Sequence, residues 1–490
     1  MDHLLERLEN LGGPRVAVVG DFMLDRYVYG YADRLSPESP VPVLNVVNRE
    51  DRCGGAGNVS AAVAALGGRA ECVGTTGTDA DGARLAELLA AAGCGTDNLV
   101  RLEARRTTVK TRCVGLAQHR HAQQMLRIDD EDAAPLSADQ WHDLRQAFAR
   151  ALGGCDIVAL EDYNKGTLHP DYTPALIEAA RAAGKAVVVD PARVSDYGRY
   201  RGCSVLTPNR YEAELVSGVR IEDERSLAAA ARRVIESASA EAVVITLDKE
   251  GCYVATREGA SARVPTRPRQ VYDVTGAGDQ VLAMLAVALA GGCSLEESAA
   301  LANVAGGLEV ERFGVAAITR AEVGDELRRM VGLRGSKVID RQHLALEVRR
   351  RQRLAQTVVF TNGCFDLLHM GHVRYLRQAR EMGHCLVVAI NGDASVQRLK
   401  GPSRPVIAQD ERAEMLAALE CVDYVTVFDE DTPCELLELL RPDVLVKGGT
   451  TAVVVGREIV EGYGGRVLTT AAVQGLSTTQ IIERIVGNRE

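Results

Sequence analysis

Several features of other protein classes are missing from this sequence. None of its twelve cysteines lies in a Cys-x-x-Cys pair, which disfavours a zinc ribbon or a dithiol redox centre and predicts reduced thiols that fill core positions. The N-terminal stretch lacks the apolar segment of a secretory signal, and no apolar run is long enough to span a bilayer, so we expect a cytoplasmic protein without a membrane anchor. The net charge of −10 and the absence of basic tracts interleaved with aromatics disfavour a nucleic-acid partner.

What the sequence does contain is an α/β pattern in a chain too long for one core. At 490 residues it predicts two or three domains. Short apolar runs rich in β-branched residues alternate with Ala-, Leu-, Glu- and Arg-rich segments of helical spacing, which is typical of parallel α/β sheets. The strand candidates are residues 16–20, 187–190, 242–246, 358–361 and 385–390, and the helix candidates include 83–92 and 227–237.

A change in composition near residue 334 indicates the domain boundary. Gly332, Gly335 and Ser336 interrupt the preceding helical pattern, and residues 334–353 then hold seven Lys or Arg against two acidic residues. We predict a first domain over residues 1–333, a basic linker helix over 334–354 with a solvated charged face, and a second domain over 355–490.

The most informative segment of the first domain is residues 273–279, Asp-Val-Thr-Gly-Ala-Gly-Asp, followed by an apolar helical run. Gly276, Ala277 and Gly278 would open that helix and leave its first N–H groups facing outward, where they form a binding site for a transferring phosphoryl group. Asp279 would lie in the first turn and accept the proton of an attacking hydroxyl. An ordinary capped helix would fit this short string equally well.

The longer string closely resembles the C-terminal signature of the PfkB/ribokinase family of carbohydrate kinases, and further matches follow the family's order over residues 15–320. The resemblance implies an α/β fold with three layers, α/β/α, and Asp279 as the catalytic base. It implies sugar contacts from Asp25, Gly54, Gly55 and Asn58. On the nucleotide side it implies ATP contacts from Asn209, Arg210, Tyr211, Glu212, Thr246 and Gly251, with Asn209 and Glu212 acting on Mg²⁺ indirectly.

A second phosphate on the sugar would need its own cations. Lys110 and Arg112 lie two residues apart in the string Thr-Thr-Val-Lys-Thr-Arg, and a phosphate dianion is bound best by such basic side chains. Both residues are therefore candidates for this role, although charges on a solvent-exposed strand would explain the same spacing.

The second domain opens with a strand, a Gly-containing loop and a helix over residues 358–372, ending in His-Met-Gly-His. Gly371 would allow the backbone to approach a phosphate, and His369 and His372 would donate hydrogen bonds to the charge that develops as a nucleotide's α-phosphate is attacked. A zinc-protease site is disfavoured, because that site needs His-Glu-x-x-His on a helix.

This segment resembles the HxGH nucleotidyltransferase superfamily, in particular its cytidylyltransferase-like branch with a smaller Rossmann-like domain. The resemblance extends over the rest of the chain and implies nucleotide or phosphate contacts from many polar and glycine residues. These are Asn362, Gly363, Phe365, Asp366, Gly371, Asp393, Lys400, Arg404, Lys447, Ser477, Thr478 and Thr479. A plain helix N-cap would explain residues 477–479 as well.

The order of the two domains resembles the family of bifunctional enzymes that make ADP-heptose. The resemblance implies that the first domain phosphorylates D-glycero-D-manno-heptose 7-phosphate at C1, that a separate phosphatase removes the 7-phosphate, and that the second domain transfers adenylate from ATP to the 1-phosphate. It implies ATP as substrate of both domains, Mg²⁺ as cofactor, and small sugar phosphates and a possible second copy of the chain as partners. Two alternatives stay open: a kinase for another sugar joined to a cytidylyltransferase, and a fusion in which one domain is catalytically dead.

Overall fold

The computed structural model describes residues 2–117, 120–266, 275–312, 314, 317–330, 337–448 and 454–470. The chain divides into two compact units, His3–Leu327 and Arg328–Glu490. Both are α/β, which confirms the predicted fold class. Across the described ranges, no helix is at once long enough and apolar enough to cross a membrane.

The first unit is built on a nine-stranded sheet in the order β13-β12-β11-β10-β9-β8-β1-β4-β5. Its strands from β11 to β5 are parallel, whereas β12 and β13 add to one edge as antiparallel strands. These strands are β1 (Arg15–Gly20), β4 (Arg69–Gly77), β5 (Leu99–Leu102), β8 (Ile157–Glu161), β9 (Val187–Asp190), β10 (Val205–Leu206), β11 (Ala242–Thr246), β12 (Cys252–Thr256) and β13 (Ser261–Val264).

Helices cover both faces of this sheet, because its central strands are apolar on both sides. The helices are α1 (Asp2–Glu9), α2 (Ala56–Ala65), α3 (Ala80–Ala91), α4 (Ala138–Leu152), α5 (Thr173–Ala182), α6 (Arg210–Ser217), α7 (Glu224–Ala238), α8 (Ala277–Ala290), α9 (Leu295–Glu309) and α10 (Arg320–Met330). Side chains of α4, α5 and α7 share one buried cluster with Ala17 and Val19 of β1. Helix α8 packs on β1, β8 and β9 beside α2 and α9. The result is the expected three-layer arrangement.

A second, four-stranded sheet in the order β3-β2-β6-β7 belongs to the same unit. Its strands are β2 (Phe22–Leu35), β3 (Pro42–Gly55), β6 (Thr108–Ala117) and β7 (Arg120–Asp130). Strands β2 and β6 are parallel, and each has an antiparallel neighbour at the sheet edge. Because β2 follows β1 and β3 leads into α2, this sheet begins beside the carboxyl end of the central strands.

The second unit is a five-stranded parallel sheet in the order β16-β15-β14-β17-β18. Its strands are β14 (Val358–Gly363), β15 (Cys385–Asn391), β16 (Tyr424–Phe428), β17 (Val444–Gly448) and β18 (Arg466–Thr470), and its helices are α11 (Arg341–Arg353), α12 (Met370–Arg380), α13 (Asp393–Lys400), α14 (Gln409–Ala417), α15 (Cys434–Leu440) and α16 (Arg457–Gly462). Residues of α11, α15 and α16 share one buried cluster with the sheet, and residues of α12 and α14 share another. This is the doubly covered sheet that the Rossmann-like prediction implies.

The predicted basic linker helix contributes to the core of the second unit. Helix α11 starts at the N-cap residue Asp340 and buries Leu344, Ala345 and Val348 against the sheet. Residues 334–336 of the predicted linker lie outside the described part of the chain. Of its basic side chains, Arg349 and Arg353 are exposed, whereas Arg350 and Arg351 are partly buried and pair with Glu347, so only part of the helix is a solvated charged face.

Candidate active sites

The first site is a cavity of about 450 Å³ at the carboxyl ends of β8, β9 and β11. In a parallel sheet these ends converge on one edge, which is the usual position of an α/β active site. The cavity brings together ten of the residues predicted for the kinase site: Asp25, Gly55, Lys110, Arg112, Asn209, Glu212, Thr246, Gly276, Gly278 and Asp279.

Other predicted residues support this cavity or lie beside it. Asn58 reaches it by a hydrogen bond to Asp279, and Ala277 is the first residue of α8. A Cβ atom on Gly54 would lie 2.8 Å from Oδ2 of Asp25, so only glycine leaves room for that carboxylate. Arg210 is held by an ion pair with Glu250 at 2.5 Å, Tyr211 is half-exposed on α6, and Gly251 occupies a turn before β12 with a φ of +91°.

Asp279 is placed for proton transfer by the start of α8. The helix begins after Gly276, whose φ of 91° suits glycine, and Asp279 is buried in the first turn. Its Oδ2 accepts a hydrogen bond from Nδ2 of Asn58 at 2.6 Å, and its Oδ1 accepts one from the Tyr163 hydroxyl at 2.9 Å. Burial raises the pKa of Asp279 to about 6, while these two hydrogen bonds oppose the rise. The side chain is therefore a carboxylate at neutral pH, and its pKa suits a general base.

Three carboxylates, of which Glu161 and Asp279 are buried and Asp190 is partly buried, meet in the cavity. One oxygen from each of Glu161, Asp190 and Asp279 lies within 4.8 Å of the others. Burial, followed by the charges of Asp190 and Asp279, raises the pKa of Glu161 well above its usual range, and Oε2 of Glu161 accepts no hydrogen bond from the described residues. Carboxylate oxygens are the ligands that Mg²⁺ prefers, so this cluster fits a divalent cation.

Within this cluster, Glu161 and Asp190 are the better metal ligands. Both oxygens of Asp279 already accept hydrogen bonds. The sequence prediction named Asn209 and Glu212 instead, and these two residues form a capping box at the start of α6, with Asn209 Oδ1 accepting from the Glu212 amide at 3.0 Å. Glu161 and Asp190 could have been noticed as acidic residues that end buried strands.

The opposite end of the cavity is basic and lies on the four-stranded sheet. Arg112 on β6 donates to Oδ1 of Asp25 on β2 at 2.6 Å, and both are buried. Burial raises the pKa of Asp25, although the Arg112 guanidinium opposes the rise. Lys110 is buried beside them, with its ammonium 5.6 Å from the centre of the Tyr163 ring, and burial lowers its pKa. This end can hold both a hydroxyl-rich group and a phosphate.

The second site lies where β14 leads into α12 of the second unit. His369 is the N-cap of α12, and its Nδ1 accepts a hydrogen bond from the Gly371 amide at 3.1 Å. A neutral His369 therefore carries its proton on Nε2. The ring of His372 stacks on that of His369 with 3.8 Å between centroids. Burial lowers the pKa of His369, and burial together with the neighbouring His369 lowers that of His372 to about 4. Both lowered pKa values favour neutral imidazoles, each of which has one N–H.

Several other predicted residues of the second domain lie at or after the carboxyl ends of β14, β15 and β17. Lys447, at the end of β17, donates to the backbone and side-chain oxygens of Asn362 at 3.2 Å each. Asp366 is buried, accepts from the Val406 amide at 2.6 Å and forms an ion pair with Arg404. The remaining predicted residues are near in sequence to these: Gly363 ends β14, Phe365 packs on His372, Gly371 is in α12, and Asp393 and Lys400 begin and end α13. Ser477, Thr478 and Thr479 lie outside the described residues.

One residue that the sequence prediction missed fixes three loops of this site. The guanidinium of Arg412 on α14 is fully buried. It donates to the carbonyl of Cys364 at 2.5 Å, of Asn391 at 2.9 Å and of Ile407 at 3.0 Å. It also pairs with Asp393 at 2.8 Å. The sequence around Arg412 does not predict this buried role, because an Arg among acidic residues on a helix is normally a surface residue.

Comparison with known proteins gives one family match for each half of the chain. The family model of the pfkB family carbohydrate kinases matches residues 14–321, and the Cytidylyltransferase-like model matches residues 360–484. The chain is 44% identical to the bifunctional protein HldE of Syntrophotalea carbinolica over 100% of this chain and 99% of the relative. It is 46% identical to the bifunctional protein HldE of Geobacter sulfurreducens over 97% of this chain and 96% of the relative.

Solved structures resemble the first unit in fold. Arabidopsis thaliana ribokinase complexed with ribose and ATP has a TM-score of 0.52 and 22% identity, and the match covers 64% of this chain and 99% of the ribokinase. Escherichia coli phosphofructokinase-2 in complex with substrates and products has a TM-score of 0.55 and 20% identity, over 65% of this chain and 99% of that one. The ribokinase-like fold predicted for the first domain is therefore confirmed.

Proposed function

Because the chain belongs to the family of bifunctional HldE proteins and is a transferase with both a carbohydrate-kinase unit and a cytidylyltransferase-like unit, we propose that it performs two steps of ADP-heptose synthesis. The first unit phosphorylates D-glycero-D-manno-heptose 7-phosphate at C1. The second transfers adenylate from ATP to heptose 1-phosphate and releases pyrophosphate. The observation that carries this proposal is that one chain contains both sites. In the first unit, the buried carboxylate of Asp279 lines the same cavity as Arg112 and Asp25. In the second unit, His369 and His372 stack at the start of a helix.

In the kinase step, Asp279 takes the proton of the C1 hydroxyl as that oxygen attacks the γ-phosphorus of ATP and the bond to ADP breaks. Asn58 and Tyr163 hold the carboxylate in place through its two oxygens. The amides at the start of α8 face the transferring phosphoryl group. Lys110 and Arg112 bind the 7-phosphate, which the buried position of both cations supports.

Both reactions use ATP, and we propose that the kinase site holds Mg²⁺ between Glu161 and Asp190. A bound Mg²⁺ supplies charge neutralisation to the ATP phosphates. The partnerless oxygen of Glu161 and the proximity of Asp190 support this position.

Replacing Glu161 with Gln should raise the Mg²⁺ concentration needed for half-maximal kinase activity about tenfold, because the site loses one of its charged ligands. The measurement is a Mg²⁺ titration of phosphorylation at saturating sugar and ATP. Glu236→Gln, at an exposed position of α7, should leave the titration unchanged. An unchanged midpoint in Glu161→Gln would place the cation elsewhere.

In the second step, a phosphate oxygen of heptose 1-phosphate attacks the α-phosphorus of ATP, and the bond to the β-phosphate oxygen breaks. His369 donates from Nε2 and His372 stabilises the same developing charge. Lys447 lies at the adjacent strand end and supplies a cation to the phosphates. Lys400 and Arg404 act on the departing pyrophosphate, for which Arg404 must exchange its partner Asp366.

The test incubates the purified chain with Mg–ATP and D-glycero-D-manno-heptose 7-phosphate and follows products by mass spectrometry and phosphorus NMR. We expect the 1,7-bisphosphate, and ADP-heptose once a phosphatase acting at C7 is added. A third tube replaces ATP by CTP in the second step, since the matching family model is cytidylyltransferase-like. A CDP-sugar formed in preference to ADP-heptose would establish the cytidylyltransferase alternative. No phosphorylation by a folded chain that binds ATP would refute the heptose assignment.

We also propose that the protein forms a homodimer through the four-stranded sheet. Its edge strands expose apolar side chains, including Val47 at 54%, Leu126 at 57% and Ile128 at 52%. Leu126→Lys combined with Ile128→Lys should convert a dimer to a monomer in light scattering, and Leu215→Lys, at an exposed leucine of α6, should not. A wild-type chain that is monomeric at micromolar concentration would rule out this interface.

The cytoplasm is the compartment that we propose for both reactions. All twelve cysteines are free thiols, and most are buried. Such thiols persist in a reducing compartment. ATP, the substrate of both steps, is also found there.

A further inference from the structure

Arg193 is a cation that lines the kinase cavity and that no motif identifies. It follows β9, three residues after Asp190, and its side chain is exposed at the cavity wall. Its guanidinium carbon lies 4.0 Å from the centre of the Tyr211 ring. Arg193 forms no ion pair within the described residues. Its charge does act on Glu212: burial raises the pKa of that carboxyl, and the positive charge of Arg193 opposes the rise.

Arg193 lies on the acidic side of the cavity, away from the other basic side chains that line it. The other basic side chains that line the described cavity are Lys110, Arg112 and Arg127, all on β6 or β7 at the sugar end. Arg112 is paired with Asp25, and Arg127 donates twice to Asp129 at 2.9 Å. On the other side, β8, β9 and α6 contribute carboxylates, and the segment that follows β9 contributes Arg193, the single cation among the described lining residues there.

A nucleoside triphosphate entering beside these carboxylates needs positive charge on that side. One divalent cation neutralises only half of the roughly four negative charges of the triphosphate at pH 7. A guanidinium supplies a permanent charge and several N–H donors in one plane. The guanidinium carbon lies over the Tyr211 ring, 4.0 Å from its centre. A cation held over a ring face makes no hydrogen bond to the ring, so its N–H donors can still bind a phosphate.

We propose that Arg193 binds the ATP phosphates in the kinase reaction and that Tyr211 is its positioning residue. The ring holds the guanidinium plane at the wall of the cavity before ATP arrives. This role rests on the proposed kinase function and assigns the phosphate contact to a residue outside the sequence motifs. It also gives Tyr211, which the sequence placed among the ATP contacts, an indirect role through its ring.

The first experiment compares kinase kinetics of Arg193→Met and Arg193→Lys with the wild type. Arg193→Met should raise the KM for ATP about 10- to 100-fold, since a charge-assisted contact is lost, and should leave the KM for the sugar phosphate unchanged. Arg193→Lys should recover part of the loss. Arg220→Met, at a solvent-exposed arginine after α6, is the matched control and should behave as wild type. An unchanged KM for ATP in Arg193→Met, or an equal rise in both KM values, would overturn the proposal.

The positioning role of Tyr211 is tested separately. Tyr211→Phe keeps the ring and should keep the KM for ATP, whereas Tyr211→Leu should raise it in the direction of Arg193→Met. Equal KM values for ATP in the two Tyr211 variants would show that the ring does not position Arg193. An unchanged KM for the sugar phosphate in each variant reports that the kinase unit is folded.

Calorimetric titration with Mg–ADP and with adenosine separates this proposal from the proposed function. Arg193→Met should weaken Mg–ADP binding and leave adenosine binding unchanged, because only the phosphates contact the guanidinium. This result does not depend on which sugar is phosphorylated. A wild-type chain that binds Mg–ADP but does not phosphorylate the heptose would refute the substrate, while equal Mg–ADP affinity in both chains would refute the role of Arg193.

Discussion

Asp279→Asn should lower sugar phosphorylation by about 10³- to 10⁴-fold, because the amide cannot take the proton of the attacking hydroxyl. The change keeps the shape of the side chain, and the amide oxygen can still accept the hydrogen bond from Asn58. We therefore expect the loss in kcat, with little change in the KM for the sugar. The measurement is the initial rate of bisphosphate formation.

Two comparisons make this result specific. Asp143→Asn replaces an exposed carboxylate on α4 of the same unit and should retain full kinase activity. Adenylyl transfer by the Asp279→Asn chain should equal that of the wild type, since its site lies in the other unit. If phosphorylation survived at a tenth of the wild-type rate or more, Asp279 would not be the base.

The second large effect is expected at the histidine pair. His372→Ala should lower adenylyl transfer by about 10²- to 10³-fold, because one donor to the transition-state charge is lost. The same chain should phosphorylate the sugar at the wild-type rate. The assay supplies heptose 1-phosphate directly and measures pyrophosphate release, so the kinase step does not limit it.

The matched control is His384→Ala. His384 lies before β15, and its Nδ1 accepts from the Thr357 amide at 3.0 Å, at the amino ends of the strands and away from the nucleotide site. Its replacement should leave kcat for adenylyl transfer within about twofold of wild type, the range of an ordinary surface substitution. Equal losses in His372→Ala and His384→Ala would indicate a folding defect instead of a catalytic role.

The parts of each site that could be predicted from the sequence are those where adjacent residues act together. Gly276–Gly278 and Asp279 open one helix, and His369 and His372 lie on one helical turn. Because each group lies within a few residues of the chain, its relative placement follows from the local helix geometry. The α/β class could be predicted because strands that are apolar on both faces alternate with helices. In each case local spacing determines the arrangement.

The missed residues act through contacts between distant segments. Glu161 and Asp190 come together only because β8 and β9 are neighbours in the sheet. Arg193 follows β9 and meets Tyr211 of α6, although β10 lies between them in the chain, and Arg412 reaches three separate loops. The local sequence of Arg193 and Arg412 does not distinguish them from surface charges, and for Glu161 and Asp190 the only local signal is that each ends a buried strand. The composition of α11 likewise suggests a linker, because its many arginines obscure the three apolar residues that it buries.

The two units have separate buried clusters and separate sites, which has a consequence for genetics. Under the proposed function, a lesion at Asp279 would disable one reaction and a lesion at His372 the other. The proposal also has a separate phosphatase acting between the two steps, so the sugar bisphosphate would leave the chain before it returns as a monophosphate. Two alleles that carry one lesion each would therefore complement in the same cell, although neither supports the pathway alone. In a cell that carries both alleles, we therefore expect the two lesions to behave as if they lay in two separate genes.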